Sequence, residues 1–191
     1  MLNIPIIIGT TRPGNKSQHM ANFIHEQASK NKDIESSVVD PANFDMPGDG
    51  NDKDLKDPKY TKITEDADAF ILVVPEYNHS FPGTLKRFID SELKNYIHKP
   101  VALVGVSAGS FGGVRAVEHI VPVLRELGMI VSFGDVYTTD SYGRFDDDGK
   151  MIKDVERYEK NVATMYEELE WLAKTLRYGR ENIPSKYHED K

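Results

Sequence analysis

Three short segments concentrate the residue types that hold a flat, anionic ligand: residues 9–17 (GTTRPGNKS), 75–83 (PEYNHSFPG) and 107–113 (SAGSFGG). In the first, Thr10, Thr11, Asn15 and Ser17 offer side-chain donors for phosphate oxygens, and Arg12 adds positive charge. In the second, Tyr77 presents an aromatic ring within a stretch held at both ends by Pro75 and Pro82-Gly83, so that its backbone N–H groups can face a heterocycle. In the third, Ser107, Ala108, Gly109 and Ser110 are small enough for the main chain to approach a ligand closely. Such a set suits a planar group bearing a phosphate.

Each of these segments follows a short apolar run and precedes a helical pattern. Apolar runs at 3–9, 34–40, 69–75, 101–107 and 130–137 are Val/Ile-rich and continuous, as strands covered on both faces should be. Between them Leu85, Phe88, Ile89 and Leu93 share one helical face, as do Val114, Val117, Val121 and Leu124. Strands alternating with helices predict an α/β protein, a flavodoxin-like doubly wound five-stranded parallel sheet of order 2-1-3-4-5 with helices on both faces. In that order strands 1, 3 and 4 are neighbours about the switch point, and the three loops follow those strands. The first loop opens a helix near Ser17, whose N-terminus suits an anion.

The rest of the chain is read as support. A last helix over about 152–177 carries Val155, Tyr158, Val162, Met165, Leu169, Leu172 and Leu176 three and four apart, a stripe that covers the sheet or in part meets a second subunit. Pro122 should kink the helix that contains it. Residues 40–58 read as a loop, 1–180 as one domain, and 181–191 as a polar, frayed tail.

Several rival chemistries fail on spacing. A nucleotide-hydrolysing P-loop needs Lys directly after its second glycine, but Asn15 stands between Gly14 and Lys16. Ser107 and Ser110 lack a recognisable nucleophile elbow. Asp146-Asp147-Asp148-Gly149 lacks the alternating ligands of a calcium loop and reads as a turn. The histidines show no metal-ligand spacing, so no metal is expected.

The runs P-E-Y-N-H-S-x-P-G-x-L-K and S-A-G-S-x-G-G-x-R-A, with the first loop, closely resemble the NAD(P)H-dependent FMN reductase family, which includes quinone and azo-dye reductases. With the strand spacing the resemblance spans about residues 3–137. It implies FMN and NADPH (or NADH) as cofactors. Thr10, Arg12, Asn15 and Ser17 would lie at the FMN phosphate, Pro75, Glu76, Tyr77 and Asn78 at the isoalloxazine and ribityl chain, and Ser107, Ala108, Gly109 and Ser110 at the pyrimidine edge.

The implied reaction passes hydride from nicotinamide to FMN, and electrons then go to free flavin, a quinone or an azo compound in a ping-pong sequence. No catalytic side chain is expected, because the cofactor supplies the chemistry; Glu76 matters for its backbone rather than its carboxylate. The alternative is a non-enzymatic FMN electron carrier of flavodoxin type. The resemblance also implies a homodimer or homotetramer, with the helices after Gly83 and Gly113 as contacts. His79 is read as a solvent-facing residue at the flavin rim, with contact to substrate or a neighbouring subunit as the alternative, and Arg115 as a partner for a carboxylate or a second subunit, with an NADPH 2′-phosphate as the alternative. Thr10 replaces a frequent Ser, and Arg87-Phe88 replaces small or amide residues.

Composition agrees. At 191 residues, with 39% hydrophobic and 29% charged residues, the chain has the size and make-up of one globular domain. Its net charge of -7 argues against nucleic-acid binding. The absence of cysteine excludes disulfides, thiolate metal sites and cysteine nucleophiles. No signal peptide or apolar stretch of about 20 residues is visible, so a cytoplasmic protein without membrane contact is expected.

Overall fold

A computed structural model describes residues 1–45, 48, 50, 52, 53 and 56–188. Strands β1 (Leu2–Ile8), β2 (Ile34–Val39), β3 (Phe70–Pro75), β4 (Pro100–Val106), β5 (Ile130–Val131) and β6 (Val136–Thr138) form one sheet. Its order is β2-β1-β3-β4-β5, with β6 also beside β4, and every pair is parallel. This is the expected order 2-1-3-4-5. The fifth run, however, is split. Ser132 still donates its N–H to the Val101 carbonyl, but Asp135 turns back to Phe133, so residues 132–135 leave the ladder before it resumes at Val136.

The helices are α1 (Lys16–Ala28), α2 (Pro58–Asp66), α3 (Gly83–Asp90), α4 (Val114–Glu126), α5 (Ser141–Arg144) and α6 (Val155–Asn182). Because strand side chains alternate, the apolar runs feed two cores. Ile4, Ile6, Ile8, Ile71, Val73 and Val104 pack against α1 and α6. Ile7, Phe70, Leu72, Val74, Val101 and Leu103 pack against α2, α3 and α4. Burial on both faces explains why the strands carry continuous apolar sequence.

Four local expectations change. The last helix starts at Val155, after Asp154 in a left-handed conformation (φ 53°), and runs to Asn182. Tyr158, Val162, Met165 and Leu169 face the core as the stripe predicts, but beyond them Ala173 is buried while Leu172 and Leu176 are half-buried. The helix persists past Arg177 because Arg177 and Arg180 both pair with Asp68, and Arg180 donates to the His98 carbonyl at 2.8 Å.

The tail is not free. His98 Nδ1 lies 2.9 Å from His188 Nε2, and the Tyr187 ring meets His98 edge-on; residues 189–191 lie outside the described set. In the segment 40–58, Pro41–Asn43 form a 3-10 turn capped by Asp40, while residues 46, 47, 49, 51, 54 and 55 lie outside the described set. Helix α4 runs unbroken through Pro122, which removes the bond to the Glu118 carbonyl.

Candidate functional site

The chain leaves β1 for β2 on one side and returns to β3 on the other, which makes the carboxyl ends of β1 and β3 the switch point. Gly9 is required there: a Cβ would stand 2.7 Å from the Val73 carbonyl oxygen. The next residues turn into α1, with Asn15 as N-cap and its side chain accepting from the Gln18 N–H at 2.9 Å. The Asn15 amide also donates to the Arg12 carbonyl at 2.8 Å. Asn15 therefore shapes the loop with the donors that the sequence offers to a ligand.

Thr10 is likewise turned inward. It is buried, accepts the Arg12 N–H at 3.2 Å and places its hydroxyl 2.9 Å from the Tyr77 hydroxyl. Ser17 differs. Its hydroxyl is 1% exposed as a residue yet has no hydrogen-bond partner, and the N–H groups of Gly14, Lys16 and Ser17 are also without one among the described residues. A buried polar group without a partner is costly unless something fills the place. The start of a helix suits an anion. Arg12 is exposed beside it.

The second loop is a two-residue hairpin. Tyr77 and Ser80 exchange backbone hydrogen bonds of 2.8 and 3.0 Å across Asn78 (φ 51°) and His79 (φ 68°). Two positive φ values are the signature of a type I′ turn, which asparagine tolerates and histidine adopts less readily. The Glu76 N–H goes to the Val106 carbonyl at 2.9 Å. Contrary to the sequence reading, the N–H groups of Glu76 and Tyr77 are therefore spent inside the protein.

Arg115 pins this turn to α4. Its Nη2 lies 2.5 Å from Glu76 Oε1, its Nη1 lies 2.8 Å from His79 Nε2, and its guanidinium covers the Phe111 ring at 5.2 Å. The Glu76 carboxylate is 6% exposed, so the side chain that was read as idle is a buried anchor. Since Arg115 only donates, His79 accepts on Nε2 and carries its proton on Nδ1. Arg115 has found the carboxylate that its sequence position suggested, with Nη1 and Nη2 both paired and Nε buried without a partner among the described residues.

The third loop is open where it needs to be. The N–H groups of Ala108, Gly109 and Ser110 have no partner among the described residues, and nothing lies within 4 Å of where a Gly109 Cβ would be. Behind it Gly113 (φ 88°) lets α4 start against the strand, since a Cβ there would lie 2.6 Å from the Val106 nitrogen.

One cleft joins these pieces. It is lined by residues 12–17, 75–77 and 106–108, together with Ser141 and Tyr142. Thr10 stands behind it, tied to Tyr77. Asn78, Gly109 and Ser110, expected at the ligand, do not line it. Ser141 and Tyr142 were missed, although the loop after the fifth strand obeys the same carboxyl-end rule as the other three. Nearby, burial and then the Lys16 charge lower the pKa of His19 from its ordinary value, against a smaller opposing effect of Asp146. Among the described residues no group of three acidic, histidine or cysteine side chains is placed to hold a metal, and no helix is long and apolar enough to cross a membrane.

A doubly wound parallel sheet of this order, with a cleft at its switch point, defines a flavodoxin-like fold. Residues 2–143 match the family model of the NADPH-dependent FMN reductases, and the chain belongs to that family of oxidoreductases. An NADPH azoreductase of Bacillus sp. (strain OY1-2) is 31% identical over 124 residues, 62% of this chain and 66% of that enzyme, just under two thirds of its length. A 2-hydroxy-1,4-benzoquinone reductase of Burkholderia sp is 25% identical over 174 residues, 86% of this chain and 94% of the relative. Among solved structures, the flavoenzyme NAD(P)H:(acceptor) oxidoreductase FerB from Paracoccus denitrificans superposes with a TM-score of 0.71 at 20% identity, covering 91% of this chain and 98% of that one.

Proposed function

We propose that the cleft holds FMN and that the protein transfers reducing equivalents from NADPH or NADH to a small acceptor: free flavin, a quinone or an azo compound. The observation that carries this reading is that the buried, unpartnered Ser17 hydroxyl and the unpartnered Ala108 N–H line one cleft. Bound FMN would supply the two-electron chemistry, accepting hydride and passing electrons on.

The chain's own residues bind and orient. Ser17 and the N–H groups of Gly14 and Lys16 hold the phosphate, with the α1 dipole adding to them. Tyr77 borders the ring on a turn fixed by Thr10 and Arg115. The N–H group of Ala108, which lines the cleft, offers a donor to the ring's polar edge and favours negative charge there. No side chain is asked to move a proton. Donor and acceptor use the same face in turn, so steady-state kinetics follow a ping-pong pattern. A homodimer or homotetramer meeting through α3 and α4 belongs to the same reading.

The test is anaerobic mixing of the purified, yellow protein with NADPH or NADH. Bleaching by either nucleotide, followed by reoxidation on adding a quinone, is the expected result. A protein that carries FMN but stays oxidised with both nucleotides over minutes is an electron carrier instead, and one that binds no flavin has another function.

A further inference from the structure

We infer that Tyr142 is a specificity-determining residue that reads the phosphate of the bound flavin, its phenol hydroxyl donating to a phosphate oxygen from the α5 side of the cleft. The inference rests on the FMN reading above and adds to it a residue outside the three loops. Tyr142 is 62% exposed, lines the cleft together with Ser17, and its hydroxyl has no partner among the described residues. An exposed aromatic is ordinary on a mobile loop. This one sits on a rigid support.

The support is built from both sides. Asp140 takes a left-handed conformation (φ 50°), and Ser141 donates its N–H to the Ser107 carbonyl at 3.1 Å, joining α5 to the third loop. Arg144, 4% exposed, donates to the Thr139 and Lys153 carbonyls at 2.9 Å each, pairs with Asp154 at 2.8 Å and lies over the Tyr158 ring at 4.7 Å. The turn that follows, closed by the isolated Phe145–Met151 bridge, rests on α1: the Phe145 ring is 5.5 Å from that of His19, and a Cβ on Gly149 would come within 2.2 Å of His19 Nδ1. The segment carrying Tyr142 is thereby fastened to the first turns of the helix whose N-terminus forms the anion pocket. The buried, unpartnered Ser17 hydroxyl in the same cleft marks where the anion goes. In a chain of net charge -7, a neutral donor beside that pocket adds affinity for phosphate without a broad positive field.

The test compares FMN with riboflavin, which lacks only the phosphate, by titration of the full-length wild type and Tyr142→Phe. The wild type should prefer FMN. Removing one hydroxyl from an exposed ring should leave the thermal midpoint unchanged, lower FMN affinity about ten-fold and change riboflavin affinity less than about two-fold. Unchanged FMN affinity in Tyr142→Phe overturns the inference, and so does an equal loss for both flavins. A wild type that binds neither flavin overturns the FMN reading itself, which distinguishes the two failures.

Discussion

The hydroxyls of Thr10 and Tyr77 lie 2.9 Å apart and join the loop after β1 to the loop after β3. This bond crosses the switch point, so the first loop also sets the position of the Tyr77 ring. Thr10→Val removes the hydroxyl at nearly constant shape. A hydrogen bond of this kind is worth about 0.5–1.5 kcal/mol. FMN affinity should therefore fall about three- to ten-fold, whereas Thr10→Ser should stay within about two-fold of wild type. Flavin titration of the two variants checks this.

Arg115→Ala should destabilise the protein. It leaves the Glu76 carboxylate, 6% exposed, without its cation. Breaking a fully buried pair costs about 3–5 kcal/mol. Arg115 is itself 40% exposed, so about 1–3 kcal/mol is expected here. Glu76→Gln leaves only the more exposed partner unpaired and should cost less. Denaturant midpoints at constant slope measure both, and equal costs would show that burial of Glu76 does not govern the pair.

Two glycines in the third loop should respond oppositely. Gly113→Ala forces a side chain into a left-handed conformation 2.6 Å from the Val106 nitrogen, and a loss of about 2–4 kcal/mol follows. Gly109→Ala meets open space, so stability should stay within about 0.5 kcal/mol of wild type. If the open backbone at Gly109 faces the flavin, its affinity for FMN falls all the same. Thermal melts of the protein without flavin separate the fold from the site.

Stability should also fall on mild acidification through His19. Its folded pKa lies below the ordinary 6.5, because burial and Lys16 disfavour the charged ring. The unfolded chain then binds more protons, so this contribution is present above 6.5 and is lost as pH falls through that value toward the folded pKa. Comparing wild type with His19→Gln between about pH 7.5 and 5.5 isolates the effect, since the variant should lose less stability over that window. Parallel pH profiles would exclude it.

Much of the fold and the outline of the site were legible in the chain. Continuous Val/Ile runs at 69–75 and 101–107 mark strands buried on both faces, and the Gly/Ser/Thr/Asn-rich segments after them mark the loops. The split of the fifth strand went unread, although Ser132-Phe133-Gly134-Asp135 interrupts its apolar pattern where the backbone leaves the ladder. The tail was not legible either: its polar composition suits solvent, and only the fold brings His188 against His98.

What the sequence determined by itself was local: periodicity, turn chemistry and the residue types at the ends of strands follow from neighbours along the chain. It therefore named the loops that meet and the helix whose N-terminus suits an anion. The tertiary structure decided which donors remain available. Thr10 and Asn15 spend their polar atoms holding the loops, Ser17 keeps its hydroxyl unpaired, Glu76 is buried against Arg115, and Tyr142 arrives from the far end of the sheet. Each of these depends on partners three to more than a hundred positions away, and the satisfaction of a polar group is settled only when every neighbour in space is in place.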